Sequence, residues 1–124
     1  MTAATKIVYI EDNRDNFRLV QRLLEVTGRY EVLWAQSGLS GLASTREHRP
    51  ALVLVDLDLP DIDGLDLARQ LRADQELGDI PLIAISANVM HDERRRALDA
   101  GCLAFVEKPI DINDFRKLID EHID

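Results

Sequence analysis

Two hydrophobic periods alternate along this chain. Residues 6–10 (KIVYI) form a short, mostly apolar run rich in β-branched side chains. Residues 30–35 (YEVLWA), 51–55 (ALVLV), 81–85 (PLIAI) and 103–106 (LAFV) repeat the pattern. Runs this short, largely apolar and bounded by turn residues predict buried parallel strands. Between them the apolar positions recur at three and four residues, as in Phe17, Val20, Leu23 and Leu24. Leu67, Ala68 and Leu71 do so again, and Phe115, Leu118 and Ile119 a third time. That spacing paints one face of an amphipathic helix.

The punctuation agrees with the periods. Gly28 and Gly101 each follow a helical stretch, where a left-handed residue closes the last turn. Asp63 is placed to open the helix containing Leu65, and Asp111 or Asn113 to open the final one. Pro50 and Pro81 stand at strand starts. Five strand–helix units with short links and no internal break imply an α/β fold. Its sheet is parallel, with helices on both faces and right-handed crossovers. Residues 89–98 (VMHDERRRAL) are the weakest helical stretch. With few apolar positions to bury, that helix is expected to be marginal and mobile.

Size and composition narrow the class. The 124 residues suit one domain spanning 1–124. Hydrophobic residues make up 46% and charged residues 31%, the balance of a globular chain rather than a disordered one. No apolar run approaches the roughly 18–20 residues of a membrane span, and the N-terminus lacks the pattern of a secretory signal. The single cysteine, Cys102, excludes an intrachain disulfide and fits a reducing, cytoplasmic setting. A net charge of −8 argues against direct nucleic-acid or membrane binding and leaves cation binding open.

In an open α/β sheet, ligands bind beyond the carboxyl ends of the strands. Glu11 and Asp12 follow the first strand, Asp56 ends the third, Ser86 ends the fourth, and Lys108 follows the fifth. Three carboxylates, a hydroxyl and an ammonium therefore converge through the fold alone. Neighbouring carboxylates repel by roughly 4 kcal/mol per pair at an effective dielectric of about 20. A cation among them relieves this, and oxygen-only donors suit Mg²⁺. With Lys108 and a divalent ion the site is neutral and can accept a phosphoryl group, Asp56 acting as the nucleophile. Singly, each residue has a plainer reading: Asp12 or Ser86 as a cap, Lys108 as a surface lysine, Asp61 and Asp63 as turn and cap residues.

Taken together, these motifs resemble the receiver domain of two-component response regulators. The matching stretches are Glu11-Asp12 in IVYIEDN, Asp56 in LVLVDLDLPDIDG, Ser86-Ala87 in LIAISAN, and Lys108-Pro109 in FVEKPI. The resemblance implies a flavodoxin-like five-stranded sheet of order 2-1-3-4-5. It makes Asp56 the phospho-acceptor, with Mg²⁺ held by Asp12, Asp56 and the backbone carbonyl of Asp58. Glu11, where many relatives have Asp, would act on the metal through water. Ser86 would hydrogen-bond the phosphoryl group and Lys108 would pair with it, across a cis Lys108-Pro109 bond. Ser86 and Phe105 would form the switch. Phe105 lacks the hydroxyl common at that position, so no hydrogen bond from its ring holds it. Asp58 and Asn88 fall at positions that tune dephosphorylation. The implied partners are a sensor histidine kinase or histidine phosphotransfer protein, and a downstream protein target. The implied setting is a stand-alone receiver, or a receiver fragment of a larger hybrid kinase or regulator.

Three rival readings are weaker. Asp56-Leu57-Asp58 resembles the nucleophile motif of haloacid-dehalogenase-type phosphatases, but their acidic metal pair follows the nucleophile and here it precedes. A calcium loop counted from Asp56 meets Pro60 at position 5 and Asp61 at position 6, so the EF-hand spacing fails. Arg94, Arg95 and Arg96 are flanked by Asp92, Glu93 and Asp99, which reads as a solvated helix face rather than a nucleic-acid surface. Cys102 reads as a small buried hydrophobe. His48, His91 and His122 read as exposed.

Overall fold

A computed structural model describes residues 4–87 and 92–123. Ten elements alternate in the expected order. They are β1 (Thr5–Ile10), α1 (Arg14–Glu25), β2 (Tyr30–Ala35), α2 (Gly38–His48) and β3 (Leu52–Asp56), then α3 (Gly64–Ala73), β4 (Leu82–Ser86), α4 (Glu93–Asp99), β5 (Ala104–Glu107) and α5 (Ile112–His122). The strands form one parallel sheet of order β2-β1-β3-β4-β5. The third and fifth strands lie one residue later than the apolar runs begin. Ala51 and Leu103 are exposed, so the runs outlast the ladder at their N-terminal ends.

Side-chain alternation divides the sheet between two cores. Ile7, Tyr9, Leu52, Leu54, Ile83 and Ile85 pack against Phe17, Val20 and Leu24 of α1 and Phe115 and Ile119 of α5. Val8, Val53, Val55, Ala84 and Phe105 face α3 and α4 through Leu65, Leu67, Leu71 and Ala97. The central strands β3 and β4 are buried along their whole length, which is why they read as unbroken apolar runs. The same parity places the polar residues. Glu11 and Asp56 continue the rows of Tyr9 and Leu54 toward α1 and α5. Ser86 continues the row of Ala84 toward α3 and α4.

The helix ends follow the local chemistry. Asp63 caps α3 and Asp111 caps α5, each accepting a backbone N–H in the first turn. At α1 the cap is Asn13, which accepts from Asn16, so Asp12 is left for other work. Gly28 and Gly101 both have positive φ, at 76° and 106°. The Lys108-Pro109 bond is cis. The fourth helix is short, only Ala97 is buried on it, and no side chain among the described residues caps it. The first part of the weak stretch, with Asn88 and His91, lies outside the described residues. His48 and His122 are half-buried rather than exposed, because each sits at the last turn of a helix against the body of the fold.

Candidate functional site

Four strands of a parallel sheet deliver their C-terminal residues to one edge, and the acidic cluster forms there. Carboxylate oxygens of Glu11, Asp12 and Asp56 all lie within 4.8 Å of one another. Glu11 and Asp56 are buried, whereas Asp12 is exposed. Asp56 is held at both oxygens: Oδ1 accepts the backbone N–H of Asp58 at 2.8 Å, and Oδ2 accepts from Lys108 Nζ at 3.1 Å. Lys108 also reaches Glu11 Oε1, at a longer 3.5 Å. The other oxygen, Glu11 Oε2, is buried and has no hydrogen-bond partner among the described residues. The backbone carbonyl of Ser86 accepts the Lys108 N–H at 2.9 Å, which ties the ends of β4 and β5 together beside Asp56.

Crowding shows in the proton affinities. Burial, then the closeness and repulsion of Asp56, push Glu11 up to about 8; Asn16 and Lys108 pull the other way. Burial alone would lower Lys108, but its bond to Asp56 and the attraction of Asp56 and Glu11 outweigh that and hold it above the ordinary lysine value. One lysine among three carboxylates leaves the cluster short of positive charge. An unpartnered buried carboxylate oxygen and an oxygen-only donor set fit a hard divalent cation.

Of the residues expected at the site, Glu11, Asp12, Asp56 and Lys108 come together directly. Ser86 is fully buried at the neighbouring strand end. Asp58 is exposed, and its carboxylate lies at the end of a long 3.5 Å contact from the Ala87 N–H. Phe105 is apart from the cluster. It is buried opposite Ala84 in the register, on the face that Ser86 shares.

Three contributions escape the sequence reading. Arg94 stands 5.5 Å from the Phe105 ring centroid, so a cation–π contact holds this ring where a hydroxyl is missing. Asp61 reaches across the fold and accepts the backbone N–H groups of Gly38 and Leu39 at 2.9 and 3.2 Å, so it reinforces the start of α2 as well as its own turn. Those bonds hold its carboxyl below the usual range, the Gly38 bond first. Trp34 donates its indole N–H to the Glu11 carbonyl at 2.6 Å. A signal for this last was present: a tryptophan near a strand end needs an acceptor for its N–H.

Comparison with known proteins agrees with this architecture. Residues 7–120 match the model of the response regulator receiver domain. The polar-differentiation response regulator DivK of Brucella ovis is 38% identical over 117 residues, 94% of each chain. The receiver domain of the sensor histidine kinase PA1611 of Pseudomonas aeruginosa superposes with a TM-score of 0.86 at 28% identity, over 96% of this chain and 97% of that one. Its structure has a magnesium ion coordinated in the active-site cleft. The chemotaxis response regulator CheY4 of Vibrio cholerae has the same fold, with a TM-score of 0.87 at 18% identity over 97% of this chain and 99% of that one.

Proposed function

The chain belongs to the response regulator receiver domain family, and from that premise we propose that Asp56 is the residue through which it serves phosphorelay signalling. The observation that carries the reading is the setting of Asp56. It is buried at a strand end, bonded to Lys108, with the carboxylates of Glu11 and Asp12 alongside. An Asp56 carboxylate oxygen attacks phosphorus of a phosphohistidine on a kinase or phosphotransfer protein. The P–O bond forms, the P–N bond breaks, and the imidazole nitrogen keeps the electron pair. Lys108 neutralises the oxygens of the transferring group, and Ser86 donates a hydrogen bond to them once transfer is complete. Glu11, Asp12, Asp56 and the carbonyl of Asp58 would hold Mg²⁺, which supplies the positive charge that lets a phosphoryl group approach carboxylates.

In this reading the protein is both acceptor and signal, not a turnover catalyst. Its own carboxylate is modified, and a downstream protein reads the change at α4, β5 and α5. The phosphatase alternative loses its footing because the acidic pair directly follows β1, ahead of the nucleophile, within a matched receiver family. The test is incubation with a small acyl phosphate, read by intact mass. The native protein gains one phosphoryl group with Mg²⁺ and none with a chelator, and Asp56→Asn gains none. Equal labelling of Asp56→Asn refutes the assignment.

A further inference from the structure

The peptide that joins Glu11 to Asp12 is gripped from the edge strand. The Trp34 indole N–H donates to the Glu11 carbonyl at 2.6 Å, and the Ala35 carbonyl accepts the Glu11 N–H at 2.9 Å. Adjacent residues of β2 thus hold both backbone groups of Glu11. The indole is itself fixed by α1. Phe17 stacks on it at 5.1 Å with 16° between the rings, and the Arg14 guanidinium lies 5.8 Å from its centroid. Asp12 needs this support more than its neighbours do. Glu11 and Asp56 are buried, whereas the Asp12 side chain is exposed and takes its direction from its backbone. A peptide rotated by a few tens of degrees would swing that carboxylate out of reach of the others. Mg²⁺ tolerates such misplacement poorly, because it demands near-ideal octahedral geometry.

We propose that Trp34 is a positioning residue for phosphoryl transfer: its indole N–H fixes the Glu11–Asp12 peptide and so aims the Asp12 carboxylate into the metal cluster. This rests on the reading of Asp56 as a Mg²⁺-dependent acceptor. Outer residues that orient metal ligands commonly control affinity in this way. Trp34 is the only tryptophan, so its emission reports on the grip directly. The test compares native protein with Trp34→Phe, which keeps a smaller aromatic ring beside Phe17 and Arg14 and removes the donor. Mg²⁺ binding is followed by calorimetry, and native emission is followed over the same titration. Native emission shifts with the calorimetric midpoint. The Mg²⁺ Kd of Trp34→Phe rises about three- to tenfold, the worth of one neutral hydrogen bond. Phosphoryl uptake by the variant falls at low Mg²⁺ and recovers at saturation. A purely structural role would lower the melting temperature and leave Kd unchanged, so an equal Kd overturns the proposal. Native emission unchanged at saturation overturns it as well, without relying on the variant. Native protein that binds no Mg²⁺ overturns the underlying reading instead, and the proposal with it.

Discussion

Glu11 carries the sharpest consequence at the scale of single residues. Its carboxyl is raised to about 8 by burial first and by Asp56 second. In the unfolded chain a glutamate releases its proton near pH 4.3, so roughly between those values the folded, metal-free chain holds a proton that the unfolded chain has lost. The stability from this group is full below about pH 4.3 and is lost as pH rises toward about 8. Mg²⁺ favours the charged carboxylate and displaces the proton. Thermal melts between about pH 5 and 8 should therefore lose stability with rising pH in chelator, and this slope should flatten or reverse in saturating Mg²⁺. Parallel slopes would contradict a proton held at Glu11. The acidic pair, Asp56 and Lys108 were legible in the sequence because strand ends converge at one edge whatever the helices do. The Trp34 and Asp61 contacts were not, because each joins segments 22 or more residues apart through a single side chain.

Among the elements, α2 was the hardest to read. It buries Gly38, Gly41 and Thr45 rather than large apolar side chains, so it shows no hydrophobic stripe. A Cβ on Gly41 would stand 2.4 Å from Ile10 Cδ1, and this close approach replaces the usual apolar face. What defines α2 instead is its entry, a capping box between Ser37 and Ser40 reinforced by Asp61. The start of α3 is equally tight and lies nearer the site. A Cβ on Gly64 would meet Leu57 Cα at 2.5 Å and the Asp56 carbonyl at 2.9 Å, both backbone atoms with nowhere to retreat. Gly64→Ala should cost about 1–3 kcal/mol of stability by overpacking. It should also slow phosphoryl uptake, because the displaced backbone carries Asp56. A variant with native urea stability would contradict this packing. The strands, by contrast, were legible nearly to the residue. In β3 and β4, burial on both faces leaves no exposed position to blur the pattern, and the few polar residues of the other strands do not break their runs.

Across the whole molecule, the proposed function requires the site to communicate with the surface of α4, β5 and α5, and β4 and β5 offer the route. Ser86 and Phe105 share one face of the sheet, Phe105 packs opposite Ala84, and α4 beside them is short and uncapped. Moving such an element from 1:99 to 99:1 takes about 5.5 kcal/mol. Charge-assisted hydrogen bonds from Ser86 and Lys108 to a phosphoryl group, about 1.5–3 kcal/mol each, supply a large part of it. The Arg94 contact on Phe105 is worth only about 0.5–1 kcal/mol, so Arg94→Ala should shift this balance without abolishing it. Ser86→Ala should still accept phosphate on Asp56 but lose most of the phosphorylation-dependent change in amide exchange across residues 92–106. Matching responses in the native protein and Ser86→Ala would place the coupling elsewhere. All of this depends on the phosphoryl group residing on Asp56, and one measurement locates it without a mutation. An acyl phosphate is reduced by borohydride to an alcohol, whereas a free carboxylate is not. After incubation with a small acyl phosphate and Mg²⁺, then borohydride and proteolysis, the peptide spanning residue 56 should carry homoserine in place of aspartate. Homoserine at Asp12, or an unreduced residue 56 in protein that has gained a phosphoryl group, would contradict the account.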